Sequence, residues 1–384
     1  MRILTKINEK IRFILLMVAD KLIFSHLPLQ DKVVFSNFGG MGFGDDPKYI
    51  ALELLKRDKH PQLYWIVYNK NVNLPSGISP LIVDSFKERY HICTAKIWIN
   101  NVRGSNIKYA TKRRNQYYIQ TWHSTLGLKA VESEANLSIK SIKKSKLDAS
   151  KVDLMYSNSD FRIDKYRKTF WYNGKVIKSD VPRVSIYFGE KKQIHNKICN
   201  FFKIDSSSKI ALYAPTFRAS HSIDIFYLDY EKIVQSLKSK FKSDFVLLVR
   251  LHPRDVKRAL NVYSDNVINA TPYPDMAELL CIADILFTDF SSSMFDFCIL
   301  EKPVFLIAKD FDNYICNERK LVFDIKTLPF TMSKTDSELL SNITNFDNDS
   351  YMVACDKFKN KIGLVDQGKG AQQIADIVIS KIYL

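Results

Sequence analysis

Cysteine, glycine and proline are all scarce in this chain. Its 384 residues include 6 cysteines, 12 glycines and 12 prolines. The cysteines form no CxxC pair and no Cys/His finger spacing, so the sequence predicts reduced thiols and no structural zinc. The low glycine and proline content excludes collagen-like and proline-rich chains, and a hydrophobic share of 46% excludes a disordered one. A chain of this length is expected to form two domains of ordinary size.

Long apolar runs are absent as well. The apolar stretch at residues 13–19 is too short for a transmembrane helix, which needs about 20 residues. No small-residue cleavage site follows it, as would be expected of a signal peptide. Residues 1–30 instead predict an amphipathic, membrane-associating helix, with a helix packed on the protein's own core as the alternative. The apolar positions at helical spacing are Ile3, Leu4, Ile7, Ile11, Ile14, Leu15 and Ala19.

Acidic residues are fewer than basic ones, 41 against 57, and the formal net charge is +16. Residues 101–200 alone hold 21 Lys or Arg and 8 Asp or Glu. Such a region indicates a polyanionic partner, which is a nucleic acid, an anionic lipid surface or a phosphate-rich substrate. Since there is no dense carboxylate cluster, we expect no tightly bound metal or cofactor; a divalent ion that arrives with a diphosphate stays open.

Short β-rich apolar runs alternate with helical patterns along the chain. This alternation predicts an α/β protein with two parallel sheets, and the polar stretch 189–208 separates the two sets of strands. We therefore predict domains at 31–188 and 189–384, the second ending in a C-terminal helix, with ligands in the cleft between them. Strands are predicted at 33–38, 62–68, 97–100, 117–122, 210–214, 245–251, 285–289 and 304–307, and helices at 48–56, 228–240 and 276–282.

Two junctions in the first half carry polar residues at strand ends. The first strand runs into a glycine-rich turn at 37–49 that contains Gly40, but it matches neither GxGxxG nor a P-loop, so a structural turn is the favoured interpretation. Another strand ends at His123, followed by Thr125 and Lys129. That histidine is either a hydrogen-bonded structural residue or part of an anion-handling site.

Three junctions in the second half repeat this pattern. Arg218 follows the end of one predicted strand, and Arg250 and His252 lie at the end of the next. The third runs into a serine turn, where the hydroxyls of Ser291 and Ser292 and the amides of a helix start could hold phosphate oxygens. Simple capping of the helix by one serine is the alternative.

Five motifs in this order resemble the CDP-glycerol glycerophosphotransferase family, which includes teichoic-acid primases, teichoic-acid polymerases and related capsule enzymes. The resemblance extends over most of residues 33–330. The motifs are Asp46-Pro-Lys-Tyr49, Gln120-Thr-Trp-His123, Ala214-Pro-Thr-Phe-Arg218, Arg250-Leu-His-Pro253 and Thr288-Asp-Phe-Ser-Ser292 with Phe295-Asp296.

The resemblance implies a GT-B-like pair of Rossmann-type domains whose parallel sheets face a central cleft. The first domain would bind the acceptor and the second the CDP-activated donor, CDP-glycerol or a related CDP-polyol. Glycerol phosphate or another polyol phosphate would pass to a hydroxyl of a lipid-linked or polysaccharide acceptor, with release of CMP. The family also implies a peripheral protein on the cytoplasmic face of the bacterial membrane, bound to its anionic surface.

The resemblance implies a division of roles among the residues at the strand ends. His123 would accept the proton of the attacking hydroxyl, and His252 would donate a hydrogen bond to the leaving CMP phosphate. The expected donor-phosphate ligands are Thr216, Arg218, Arg250, Asp289, Ser291 and Ser292. The expected acceptor or cleft residues are Gly40, Asp46, Thr125, Lys129 and Arg183.

The chain departs from the family pattern at two places near the expected active site. It reads His123-Ser-Thr-Leu126 where the family usually has His-Gly-Thr-Pro, and Asp180-Val-Pro-Arg183 where the family has Gly-Xaa-Pro-Arg. Both departures bear on the identity of the donor or acceptor more than on the fold.

Two other functions were weighed against this one. A GT-B glycosyltransferase that uses a nucleotide sugar needs the same cleft and diphosphate site, so the fold does not separate the two. A nucleic-acid-binding protein would use the basic region with the aromatic residues Tyr117, Tyr118 and Trp122. The sequence does not favour a nucleic acid partner, because these aromatics lie in a strand pattern typical of core packing.

Overall fold

Two separate parallel sheets organise the chain. The computed structural model describes the backbone of residues 2–383 apart from 104, 219–225, 253–263 and 318–319, and side chains from residue 11 onward. One sheet has seven strands and the other has six, and each strand pairs in parallel with its neighbours. The predicted α/β class with two parallel sheets is confirmed.

The first sheet has the order β3-β2-β1-β4-β5-β6-β7. Its strands are β1 Gln30–Ser36, β2 Gln62–Val67, β3 Ile78–Ile82, β4 Ala95–Asn100, β5 Tyr117–Gln120, β6 Leu154–Ser157 and β7 Lys175–Lys178. The helices of this part are α1 Arg2–Leu22, α2 Asp45–Leu55, α3 Phe86–Thr94, α4 Ile139–Ala149 and α5 Asp160–Thr169.

The second sheet has the order β10-β9-β8-β11-β12-β13. Its strands are β8 Lys209–Tyr213, β9 Phe245–Val249, β10 Val267–Asn269, β11 Ile285–Thr288, β12 Val304–Ile307 and β13 Thr331–Ser333. The helices that follow α5 are α6 Lys191–Phe202, α7 Tyr230–Phe241, α8 Met276–Ile282, α9 Ser293–Cys298, α10 Phe311–Asn317, α11 Asp336–Thr344, α12 Asn348–Ile362 and α13 Gly370–Tyr383.

Central strands are largely buried and mostly apolar because helices cover both faces of each sheet. All five residues of β9 are buried, and so are all four of β11. Such unbroken apolar runs are typical of parallel sheets and explain why these strands were predicted. The strands that were not predicted, β3, β6, β7, β10 and β13, have five residues or fewer.

The final helix, α13, packs on the first sheet and not on the second. Ile374, Ala375, Val378 and Ile382 belong to the apolar core that contains Val33 and other residues of the first sheet. From its position in the sequence, this helix was predicted to belong to the second domain. The chain crosses back because the apolar face of α13 fills the surface left open beside α2 and β4.

The amino-terminal helix α1 has one face on the protein and one face exposed. Leu16, Ala19 and Asp20 are buried, and the ring of Phe13 contacts Tyr109 edge-on at 5.1 Å. Ala19 was expected on the lipid side but packs inward, since it lies between Leu16 and Asp20 on the buried face. The side chains of Ile3, Leu4 and Ile7 lie outside the described residues. None of the helices described is long and apolar enough to cross a membrane.

Candidate active site

Several residues with strained backbone angles lie in the loops that follow the central strands of the first sheet. Phe38, Asp45 and Trp122 have φ angles of 44°, 57° and 58°, in the left-handed region that side chains disfavour. Gly40 has φ 117°, and a Cβ there would lie 2.9 Å from Val83 Cγ2. Gly40 is therefore required by the turn, as the structural interpretation of this motif predicted. Such strain is typical of loops held in shape for binding or catalysis.

Asn101 holds these loops together. Its side-chain nitrogen donates to Asn37 Oδ1 at 2.8 Å and to Asp45 Oδ2 at 2.6 Å. Its side-chain oxygen accepts a hydrogen bond from the amide of Phe38 at 2.7 Å. Asn101 was not predicted as a site residue, although it lies directly after β4 just as His123 lies after β5.

The ring of His123 is oriented by the same residue. Its Nδ1 lies 2.8 Å from the main-chain oxygen of Asn101. A carbonyl oxygen only accepts hydrogen bonds, so Nδ1 carries the hydrogen and Nε2 keeps its lone pair. Burial lowers the pKa of His123, and the hydrogen bond to Asn101 opposes this only in part. The ring, stacked on Trp122 at 4.4 Å, is thus a neutral base at neutral pH.

Three of the predicted cleft residues meet in a buried cluster around Arg183. Its guanidinium donates to both oxygens of Asp296 at 2.9 and 3.0 Å, to Asp46 Oδ1 at 3.0 Å and to Thr125 Oγ1 at 2.9 Å. Tyr156 adds a hydrogen bond to Asp46 at 3.1 Å. Asp46, Thr125 and Tyr156 belong to the first sheet's half and Asp296 to α9, so this cluster joins the two halves.

A second buried cluster joins α2 to α8. Lys48 Nζ lies 2.5 Å from Asp275 Oδ2 and 2.8 Å from Glu278 Oε1, and Tyr49 donates to Asp275 at 2.9 Å. The Asp46-Pro-Lys-Tyr49 motif therefore uses three of its four side chains at the junction between the halves. These contacts fix the relative orientation of the two sheets.

The loop after β8 is held by Asp289 and Arg218. Asp289 Oδ1 accepts the amide of Thr216 at 2.8 Å, and Asp289 Oδ2 lies 2.8 Å from Arg218 Nη2. Arg218 also pairs with Asp310 through contacts of 2.7 and 3.0 Å and lies over the ring of Tyr314 at 4.7 Å. The carboxylates of Asp289 and Asp310 neutralise the charge of Arg218. We therefore interpret the contact between Arg218 and Asp289 as one that stabilises the loop.

Two buried polar groups near this loop have no hydrogen-bond partner. They are Nη1 of Arg250 and Oγ1 of Thr216, among the residues that the structure describes. Buried polar groups are normally paired, so unpaired ones in adjacent loops indicate a ligand site. His252 is exposed beside them, with its ring 5.6 Å from that of Phe217. The last residue of this motif, Pro253, lies outside the described residues.

The serine turn and Lys129 complete the predicted set. Ser291 Oγ accepts hydrogen bonds from the hydroxyl and amide of Ser293 at 2.9 and 3.3 Å. Ser292 is half-buried at the start of α9 and makes no side-chain capping bond. Lys129 lies in a short antiparallel bridge to Leu321, where the two halves also touch.

Comparison with known proteins identifies the family. A family model described as CDP-Glycerol:Poly(glycerophosphate) glycerophosphotransferase matches residues 20–380. The chain belongs to this family. The expected resemblance is thereby confirmed over a longer stretch than the five motifs span.

Curated relatives of this glycerophosphotransferase family member include two teichoic acid poly(glycerol phosphate) polymerases. The protein of Staphylococcus epidermidis is 28% identical over 361 residues, which cover 89% of this chain and 49% of that protein. The protein of Bacillus spizizenii is 27% identical, with 88% of this chain and 90% of the relative covered. The chain thus spans about half the length of the first relative and most of the second.

Solved structures agree with this family membership. A structure of the wall teichoic acid polymerase TagF is 25% identical, with a TM-score of 0.85 over 98% of this chain and 97% of that chain. A UDP-GlcNAc 2-epimerase from Neisseria meningitidis, 13% identical with a TM-score of 0.52 over 91% of this chain and 100% of that one, shows the fold alone. The expected GT-B-like arrangement of two Rossmann-type domains is confirmed.

The three aromatic residues considered for a nucleic acid differ in exposure. Tyr118 and Trp122 are buried in the core and offer no ring face on which a base could stack, whereas Tyr117 is partly exposed. No cluster of three or more His, Cys, Asp or Glu side chains suited to a metal ion occurs within the described ranges.

Proposed function

We propose that this chain transfers glycerol phosphate or another polyol phosphate from a CDP-activated donor to a hydroxyl of a lipid-linked or polysaccharide acceptor, with release of CMP. The observation that carries this proposal is the geometry of His123, a neutral imidazole with Nδ1 fixed by Asn101 and Nε2 available as a base. Family membership supports it, as does a TagF variant structure obtained after a soak with CDPG.

In the proposed step the acceptor oxygen attacks the phosphorus that carries the polyol. The bond from this phosphorus to the CMP oxygen breaks, and a new phosphodiester forms. The hydroxyl proton passes to Nε2 of His123. Protonated His252 donates a hydrogen bond to the phosphate of the leaving CMP. Most of the rate enhancement in such a reaction comes from positioning and from stabilisation of phosphoryl oxygens.

The donor site proposed here is the set of loops after β8, β9 and β11. Arg250 Nη1 and Thr216 Oγ1, both buried and without a partner among the described residues, would bind the diphosphate, together with the hydroxyls of Ser291 and Ser292. Arg218 is proposed to act through Thr216 and Asp289, because its charge is already paired with carboxylates.

The cluster around Arg183 is proposed to fix the position of the first half of the chain, which carries His123, relative to the donor loops after β8, β9 and β11. Arg183, Asp46 and Thr125 are buried and bonded to one another or to Asp296. Their role would be to place His123 opposite the donor loops, and not to touch the substrate. This assignment differs from direct acceptor binding, for which they were first considered.

We also propose that α1 attaches the protein to the cytoplasmic face of the bacterial membrane. Ile11, Ile14, Leu15, Val18 and Leu22 are 47–66% exposed and recur at three- and four-residue spacing, which defines an exposed apolar stripe on the helix. Phe13, on the same helix, packs on Tyr109.

A basic cavity adjoins the helix near Tyr109. It has a volume of about 490 Å³ and is lined in part by Lys112, Arg113, Arg114 and Lys151. An apolar stripe beside a basic surface is typical of proteins that lie on anionic lipid.

The deciding experiment measures CMP release from CDP-glycerol and CDP-ribitol with a short lipid-linked acceptor, in the presence and absence of a chelator. UDP-sugars serve as the competing donors. CMP release that depends on the acceptor supports the proposal, and the preferred CDP-polyol identifies the donor. Transfer from a UDP-sugar with none from either CDP-polyol would overturn it in favour of the glycosyltransferase.

A further inference from the structure

A buried cation with no carboxylate of the described residues within 4 Å lies beside the proposed base. Arg162 is 3% exposed. No carboxylate of the described residues lies within 4 Å of its nitrogens, and Glu134 acts on it only from farther away. Its Nε has no hydrogen-bond partner among the described residues. The guanidinium lies 5.4 and 5.9 Å from the ring centres of Tyr166 and Phe170. Burial of an unpaired charge costs free energy, so its presence calls for a function.

The hydrogen bond that Arg162 does make points to that function. Its Nη2 donates to Ser124 Oγ at 2.6 Å. Since Oγ accepts from Arg162, the hydroxyl hydrogen of Ser124 is directed elsewhere, and no described residue accepts it. A Cβ at Gly127 would lie 2.7 Å from the same Nη2, so glycine at this position leaves room for the guanidinium.

Ser124 is placed where a substrate oxygen is expected. It follows His123 directly in the chain, and both side chains are partly exposed whereas Arg162 lies behind them. A hydroxyl that accepts a hydrogen bond from a cation becomes a stronger donor, because the two bonds polarise each other.

We propose that Ser124, polarised by Arg162 behind it, donates a hydrogen bond to a phosphoryl oxygen of the substrate beside His123. In this arrangement Ser124 contacts the substrate and Arg162 is a positioning residue. The ligand is a phosphate ester oxygen, which belongs either to the CDP-activated donor or to the last phosphate of a polyol phosphate acceptor. The inference rests on the proposed transfer reaction.

The first test compares Ser124→Ala with Ser124→Thr in acceptor-dependent CMP release. Loss of the hydroxyl is expected to lower kcat/KM about tenfold to a hundredfold, the range for one hydrogen bond to a charged group. Threonine keeps the hydroxyl and is expected to recover much of this loss. A higher KM for CDP-glycerol assigns the oxygen to the donor, and a higher KM for the acceptor assigns it to the acceptor.

The second test separates the charge of Arg162 from a purely structural role. The charged groups that act on His123 are Asp45, Arg162 and Arg183. Removal of one cation makes the protonated imidazole easier to form. Arg162→Met is therefore expected to move the acid limb of kcat/KM to higher pH, while the midpoint of thermal unfolding stays the same or rises. Arg167→Met, an exposed arginine on the same helix, is the matched control.

The outcomes of these tests distinguish a failure of this inference from a failure of the proposed function. If wild-type protein releases no CMP from any CDP-polyol, the proposed function fails. If wild-type protein is active and Ser124→Ala matches it in kcat and in both KM values, the contact with the substrate is refuted. An Arg162→Met variant that keeps the wild-type kcat/KM and an unmoved acid limb refutes the positioning role of the arginine.

Discussion

Arg183 and Asp296, which are 113 positions apart in the sequence, share two hydrogen bonds of 2.9 and 3.0 Å across the junction between the two sheets. Both side chains are almost fully buried. The same guanidinium reaches Asp46, so one cation binds carboxylates from both halves. The orientation of the donor loops relative to His123 therefore depends on a buried ionic cluster.

Loss of one carboxylate from this cluster should destabilise the protein. Asp296→Ala leaves Arg183 buried with less compensation, and removal of one partner of a buried pair typically costs about 3–5 kcal/mol of the free energy of unfolding. Chemical denaturation measures this change. Lys178→Ala, which breaks an exposed pair with Asp160, should cost about 0–1 kcal/mol. Equal effects of the two substitutions would contradict a joining role for the cluster.

The pH dependence of activity should follow from the burial of His123. Its pKa is lowered, so the neutral form that accepts a proton persists below the usual histidine range. We expect the acid-side decline of kcat/KM, which reports protonation of this base, to lie below the usual histidine range. His123→Ala should abolish CMP release with the fold retained by circular dichroism. An acid limb above the usual histidine pKa would show that another group limits the reaction.

Thr216→Val should weaken donor binding without loss of stability. The hydroxyl of Thr216 is buried and has no hydrogen-bond partner among the described residues, so its removal takes away an unsatisfied group. We expect an unchanged or higher unfolding midpoint and a KM for the CDP-polyol raised by roughly fivefold to tenfold, as for one lost hydrogen bond. Steady-state kinetics and thermal melts measure the two effects. A donor KM equal to that of wild type would place the diphosphate elsewhere.

The exposed apolar stripe on α1 should be needed for membrane binding. Substitution of Ile14, Leu15 and Val18 by serine removes apolar area that the protein itself does not bury, since these side chains are about half exposed. Sedimentation with anionic vesicles should fall several-fold while the melting temperature stays constant. Leu16→Ser, on the buried face, should instead lower the melting temperature. Undiminished vesicle binding by the triple variant would contradict the proposal.

The sequence predicted most of the central strands because their residues are mostly apolar and β-branched or aromatic. It missed β6 and β7, although β5, β11 and β12 are equally short. β6 contains no β-branched residue, and β7 is not buried and has a lysine at each end. The sequence placed α13 with the second domain, since nothing local to residues 370–383 shows which sheet their apolar face covers. Apolar periodicity identifies a helix, whereas its partner is a property of the whole fold.

The candidate site was predicted in part for the same reason. His123, Arg250 and the serine turn follow apolar strands, and strand ends in parallel sheets are where ligands bind. Asn101 was missed, although it fixes the imidazole of His123. The bond from Arg162 to Ser124 joins residues 38 positions apart and has no signature in the local sequence.

By itself, the sequence determined the α/β class, the family and the polar residues at the strand ends, because each of these follows from patterns among residues that lie close together in the chain. Only the tertiary structure decided which charges are paired. Arg183 and Arg218 are neutralised by carboxylates in direct contact, whereas Arg162 has no carboxylate of the described residues within 4 Å. A charge is free or compensated according to what lies within a few ångströms of it, and folding brings those groups together from distant parts of the chain.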